Sequence, residues 1–260
     1  MEQIVDFGTP PLIEVAFGCQ FEELAPLKVP HVGILWERFR KDYPIVEHAM
    51  ALSTDGGLPP IDSVTGLPLP RVWFINSGES RLIQFQANRL HFNWRSRDTE
   101  RQYPRHPDIA ACFEKAFTRL ESFANDLGLG DIRPERYELT YINHIPKGKG
   151  WETISDVPSI FPDLHWSEKK FLPFPNNLAW NWRFALPSDA GMLQVKLSQA
   201  SLAADPSVPV LILELTARGI GAEKTAEGRK QWFDLAHEWV VRGFLDITSP
   251  NIQKQIWGRE

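Results

Sequence analysis

Only two cysteines, Cys19 and Cys112, occur in 260 residues, far apart in segments that read as a strand and a helix. Two thiols make no disulfide framework, so both are expected to be reduced core side chains. Long hydrophobic runs are also scarce. The most apolar late stretch, Val208 to Leu215, is interrupted by Pro209 and Glu214, and the opening MEQIVDFGTPPLIEV carries neither a basic nor an apolar leader segment. A cytoplasmic protein with no membrane partner is expected. The seven histidines, at 31, 48, 91, 106, 144, 165 and 237, show no HExxH or His-x-His spacing, which argues against zinc. Neither a GxxxxGK[ST] phosphate cradle, a dinucleotide fingerprint nor a GxSxG nucleophile elbow occurs, so nucleotide hydrolysis and acyl transfer by those routes lose support. No catalytic residue, metal or cofactor is expected.

What is present is an ordinary globular composition, 43% hydrophobic, 23% charged and 12% aromatic, in a chain long enough to bury a core without staples. Thirty-three acidic against 28 basic residues give a net charge of −5, so the molecule as a whole does not suit polyanions and any such site must be local. Ten Trp and 21 Pro are both prominent. Tryptophan suits cores, clefts and interfaces alike.

Ile13, Val15, Phe17, Cys19 and Phe21 alternate with polar or small residues, the period of a half-buried strand. Val32, Leu35, Trp36, Phe39 and Tyr43 keep helical spacing up to Pro44. Residues 53–70, rich in Pro and Gly, read as a long irregular connection. Arg71 to Asn76 and Arg81 to Trp94 read as two strands around Ser77-Gly78-Glu79. Asp108 is the expected cap of a helix with Ile109, Cys112, Phe113, Ala116, Phe117, Leu120 and Phe123 on its apolar stripe, ended by Gly128. In the second half Tyr137 to Ile145, Leu178 to Ala185, Met192 to Leu197 and Val210 to Leu215 read as strands, and 227–245 as a helix. Segments 151–160 and 146–177 give no clear assignment.

Each half thus runs strand, helical segment, strands, long helix. The fold class is α+β: two pseudo-repeated units, 1–130 and 131–260, each an antiparallel-rich sheet packed by a long amphipathic helix, together one compact body. PPLIEVAF and PERYELTY match in character.

The most informative polar stretch, RLHFNWRSRDTERQYPRH, sets Arg89, Arg95, Arg97, Arg101 and Arg105 against only Asp98 and Glu100, with Trp94 and Tyr103 interleaved. Guanidinium groups suit phosphate, carboxylate or an acidic partner surface; alternatively they pair with helix carboxylates such as Glu114 and Glu121. Asn93 on one strand, and Tyr141, Asn143 and His144 on another, are polar or amphipathic groups within apolar runs that could line one rim of a sheet, or cap neighbouring loops. The candidate binding set is therefore Asn93, Trp94, Arg95, Arg97, Arg101, Tyr103, Arg105, Tyr141, Asn143 and His144. Trp257 near the end either docks the terminus or anchors an interface.

PPLIEVAFGCQFE, RLIQFQANRLHFNWR followed by YPRHPDI, ELTYINHI and FLDITSPNIQKQIWG, in that order, resemble a sporadically distributed family of bacterial proteins to which no activity is assigned. The resemblance implies a stand-alone bacterial cytoplasmic protein and carries over no catalytic residue. The leading expectation is a non-catalytic binding protein, accessory or regulatory, using the surface from Arg89 to His106 on a protein partner. The alternative is an enzyme or binder acting on a phosphorylated or nucleic-acid substrate through the same arginines, with Glu138 or His144 in acid–base work. Self-association through a Trp-rich last helix and tail is a third expectation, and nucleic acid is the less favoured partner.

Overall fold

The computed structural model describes residues 5–53, 61, 66, 69–167, 171–202 and 205–260. It contains helices and a large antiparallel sheet, as an α+β chain should. Its strands are β1 (Leu12–Phe21), β2 (Ile45–Ala49), β3 (Arg71–Ile75), β4 (Arg81–Gln86), β5 (Arg89–Arg95), β6 (Pro134–Pro146), β7 (Ala179–Ala185), β8 (Met192–Ser201) and β9 (Pro209–Gly219). The helices are α1 (Val29–Phe39), α2 (His106–Asp126), the one-turn α3 (Val157–Ile160), α4 (Ala226–Ile247) and α5 (Pro250–Gln255). The strand order is β2-β3-β4-β5-β1-β6-β9-β8-β7. Two compact units are recognisable, one made of 1–13, 140–218 and 234–260, the other of 14–139 and 219–233. Among the described residues no helix is long and apolar enough to cross a membrane.

In the unit built on 14–139, antiparallel registers place Val15, Phe17 and Cys19 of β1 opposite Trp94, Phe92 and Leu90 of β5, which in turn face Arg81, Ile83 and Phe85 of β4. One sheet face is thereby almost wholly apolar. Helix α2 buries Ile109, Phe113, Phe117, Leu120 and Phe123 completely, with Phe113 meeting Phe17 at 6.0 Å and Phe233 at 5.1 Å between ring centroids. Each such ring removed from water contributes about 1.5–3 kcal/mol before chain entropy is subtracted.

The segment expected to be one strand, Arg81 to Trp94, is two, turned at Ala87-Asn88. The apolar residues reveal why: Ile83 and Phe85 are odd-numbered, whereas Leu90, Phe92 and Trp94 are even-numbered. A straight strand would send them to opposite faces, and the turn brings all five to the same one. Helix α2 also begins earlier than the expected Asp108 cap. His106 is its first residue, Pro107 fits the first turn, and Arg105 before it has φ +86° and ψ 155° without a capping side chain. Strand β2, an exposed strand pairing with β3, was not apparent from the sequence.

In the other unit Leu193, Val195 and Leu197 of β8 face Ala217, Leu215 and Leu213 of β9. The later part of α4 packs there, Gly243 lying close enough that a Cβ would sit 3.1 Å from Leu193. Trp257 is 2% exposed and packs tilted against Phe244, ring centroids 5.2 Å apart, while Thr9 N–H donates to the Trp257 carbonyl at 3.0 Å. The ring thereby ties the segment after α5 into this unit and, being buried, is not offered on the surface as an anchor. Of the expected irregular connection 53–70, residues 54–60, 62–65 and 67–68 lie outside the described residues.

A polar sheet face as the candidate functional site

Opposite the apolar face of the 14–139 unit, most of the alternate residues of the same strands are polar, Ala16, Leu82 and Ile75 being apolar exceptions. Side chains alternate across a strand, so β5 presents Arg89, His91, Asn93 and Arg95, β1 presents Glu14, Gly18 and Gln20, β4 presents Gln84 and Gln86, and β3 presents Arg71 and Trp73. Several are buried all the same: Asn93 is 3% exposed, Gln86 1% and His91 9%.

Four of these side chains form a directed chain of hydrogen bonds across four strands. Arg71 Nη1 donates to Gln84 Oε1 at 3.3 Å, Gln84 Nε2 donates to Asn93 Oδ1 at 2.8 Å, and Asn93 Nδ2 donates to Glu14 Oε1 at 2.5 Å. Two amides thus connect a guanidinium to a carboxylate with dipoles aligned from cation to anion, an arrangement in which each bond polarises the next. Burial raises the Glu14 pKa from its ordinary value; the Asn93 bond and the charges of Arg95 and Arg97 oppose it. Burial lowers the pKa of both Arg71 and Arg95, each further disfavoured by a like charge, Arg89 and Arg97 respectively.

The face has a surplus of donors. Arg71 Nε, Trp73 Nε1 and Arg95 Nε are buried and have no acceptor among the described residues, although Arg71 also stands 5.5 Å from the centroid of the Trp73 ring and Arg95 Nη2 donates to the Glu79 carbonyl at 3.2 Å. At one end of the face Gln86 binds both backbone groups of Leu52 at 2.8 Å, and Arg89 Nη2 donates to the Ser53 carbonyl at 2.9 Å. Gly18 leaves room for the His91 ring, which lies where a Cβ would be; His91 Nε2 is 3.9 Å from Glu138 Oε1.

The residues expected to bind are distributed unevenly. Asn93 and Arg95 belong to this face. Trp94 points the other way, fully buried on the helix-covered side, 5.3 Å from Tyr103. Arg97, Arg101 and Arg105 are exposed on the following arm, where Arg101 pairs with Asp98 at 2.6 Å. The expected helix partner Glu114 is instead taken by Arg229. Tyr141, Asn143 and His144 belong to the other unit: Tyr141 lies 6.1 Å from the His237 ring, Asn143 Nδ2 donates to the Leu213 carbonyl at 3.2 Å, and burial lowers the His144 pKa.

No family model matches the chain, and no curated protein matches it.

Glu14, Arg71, Trp73 and Gln84 were missed in the sequence. The alternation in each strand was visible, but which polar residues meet depends on the Ala87-Asn88 turn. Among the described residues no group of three His, Cys, Asp or Glu side chains is placed to hold a metal ion. Chemically, the face offers fixed N–H donors and positive charge to an acceptor-rich group.

Proposed function

We propose that this is a non-catalytic binding protein, accessory or regulatory in role, which captures a carboxylate or phosphate group on the polar face of the 14–139 unit. The observation that carries the reading is the set of buried donors without an acceptor, Arg71 Nε, Trp73 Nε1 and Arg95 Nε. A buried donor left unmade costs about 1–3 kcal/mol; an anion supplies the acceptors and the charge together. Bidentate recognition by Arg is the strong form of this contact.

The alternative, an enzyme working on a phosphorylated or nucleic-acid substrate, draws on the same arginines; the raised Glu14 carboxyl is its one added support. Two free cysteines, Cys19 buried and Cys112 half-buried, favour a reducing, cytoplasmic setting. The two-unit pseudo-repeat belongs to this reading too. Its support is the strand order, in which β2-β3-β4-β5-β1 runs inward from one edge as β7-β8-β9-β6 does from the other.

The test is titration with inorganic phosphate, succinate and single-stranded RNA, followed by calorimetry and by Trp fluorescence. Phosphate or succinate should bind, and Arg71→Gln should weaken binding about tenfold, equivalent to about 1.4 kcal/mol. Absence of binding by either small anion overturns the proposal. RNA binding alone, with a salt slope of several phosphates, transfers the site to the nucleic-acid reading.

A further inference from the structure

A second site lies within the same unit, on the helix-covered side of the sheet. Between the end of α1, the middle of α2 and the β3–β4 turn is a pocket of about 560 Å³, a volume typical of small-molecule sites. Its apolar wall is formed by Phe39, Ile83 and Ala116, each no more than 2% exposed. Around that wall stand three cations, Arg81, Lys115 and Arg119, with two carboxylates, Asp42 and Glu100.

The charges are unevenly matched. Glu100 is committed to Arg81, whose Nε and Nη2 donate to its two oxygens at 3.0 and 2.5 Å. Among the described residues Asp42 is the carboxylate that meets the remaining cations, at 3.4 Å from Arg119 and 4.0 Å from Lys115. Two cations therefore share one carboxylate at long range. Arg119 is held in place by the Phe39 ring, 5.3 Å below its guanidinium carbon, and by the Arg38 carbonyl, so little side-chain freedom remains to be lost when an anion arrives. Tyr43 lines the same pocket, and burial pushes its hydroxyl up to about 12, so it keeps a proton to donate.

We propose that this pocket binds a small organic acid with a compact apolar body, the anionic head held by Lys115 and Arg119 and the body against Phe39, Ile83 and Ala116. This site is separate from the polar sheet face and does not depend on that reading. Lys115 is 66% exposed and Arg119 31%, so the head is met near solvent and binding weakens as salt rises.

Cys112 supplies a local reporter. Its Sγ is within 3.6 Å of Arg81 Nη1 and it lines the pocket half-buried, whereas Cys19 is fully buried and serves as the internal control. The experiment is alkylation of the whole chain by iodoacetamide, the rate at each cysteine followed by mass mapping, with benzoate as probe and benzamide as its neutral counterpart. Benzoate should slow alkylation of Cys112 at saturation, with benzamide much less effective. Lys115→Gln should raise the half-protecting benzoate concentration about three- to fivefold, the range of an exposed charge pair. Arg119→Lys, which keeps the charge but loses the fork, should raise it as well. Both variants are first compared with the parent by thermal melting, so that loss of protection is read only on folded protein. No protection by benzoate, equal protection by benzamide, or unchanged protection in both folded variants overturns the proposal.

Discussion

Asn93 occupies the middle of the polar chain, donating to Glu14 and accepting from Gln84. Asn93→Leu leaves two half-buried partners without it, so a loss of about 1–3 kcal/mol is expected in urea denaturation. Gln84→Ala, by contrast, should remove less because Glu14 keeps its donor. A second residue-scale prediction concerns His106, buried at the start of α2 against the Phe17 ring at 5.3 Å. Burial lowers its pKa from 6.5 to about 4. The unfolded chain takes up this proton near pH 6.5, and the folded chain resists it. The resulting stability is therefore present above pH 6.5 and is lost as pH falls from there towards 4, by about 3 kcal/mol in all. His106→Phe should flatten that part of the stability–pH curve, as measured by melts at successive pH values. The sequence marked Asn93 as a polar interruption of an apolar strand, but His106 reads there as the end of a basic arm. Its burial follows from the earlier start of α2, which residue types alone do not announce.

At the scale of elements, Arg105 and Arg229 show how helices are fixed at their beginnings. Arg105 precedes α2 at φ +86° and ψ 155°, a region in which a side chain is strained and glycine is not. Arg105→Gly should raise stability by about 1 kcal/mol, seen as a higher melting temperature, after allowing for glycine's greater freedom in the unfolded chain. Arg229, in the first turns of α4, has a side chain only 5% exposed. It grips Glu114 of α2 through two bonds of 2.9 and 2.7 Å and lies 4.2 Å from the Phe117 ring centroid. Glu114→Ala strands a buried guanidinium and should reduce stability by about 3–5 kcal/mol, whereas Glu114→Leu with Arg229→Met should recover most of it, both read by chemical denaturation. Both long helices were legible because their apolar stripes keep the 3.6 period over many turns. The Ala87-Asn88 turn was not, since it lacks Gly and Pro; only the shift from odd to even apolar positions betrays it. Strand β2 escaped for a different reason: it is exposed on nearly every residue and carries no alternation.

On the scale of the whole molecule, the sequence conveys class better than connectivity. Helices and antiparallel strands follow from local periods, but β1 pairs with β5 across a separation of 77 positions at Ala16–Asn93, and no local pattern encodes such a choice. The two compact units are each assembled from separate stretches of chain, and β1, β6 and α4 all contain residues of both. The chain thus passes from one unit to the other inside regular elements and not in loops. A test comes from Trp257, which belongs to the unit containing 1–13 and 234–260. It fills the space beside Phe244, which also meets Phe7 edge-on at 5.8 Å, so Trp257→Ala should open a cavity and reduce stability by about 3–5 kcal/mol. Amide exchange at Gly8 and Thr9, whose N–H groups bond to the carbonyls of Gly258 and Trp257 at 3.0 Å, should accelerate accordingly. If the shared elements couple the units, urea unfolding of the variant stays a single transition at lower midpoint with unchanged slope. A biphasic curve would show instead that the unit holding Trp257 unfolds by itself, and that the bonds within β1, β6 and α4 yield before the rest of the chain does.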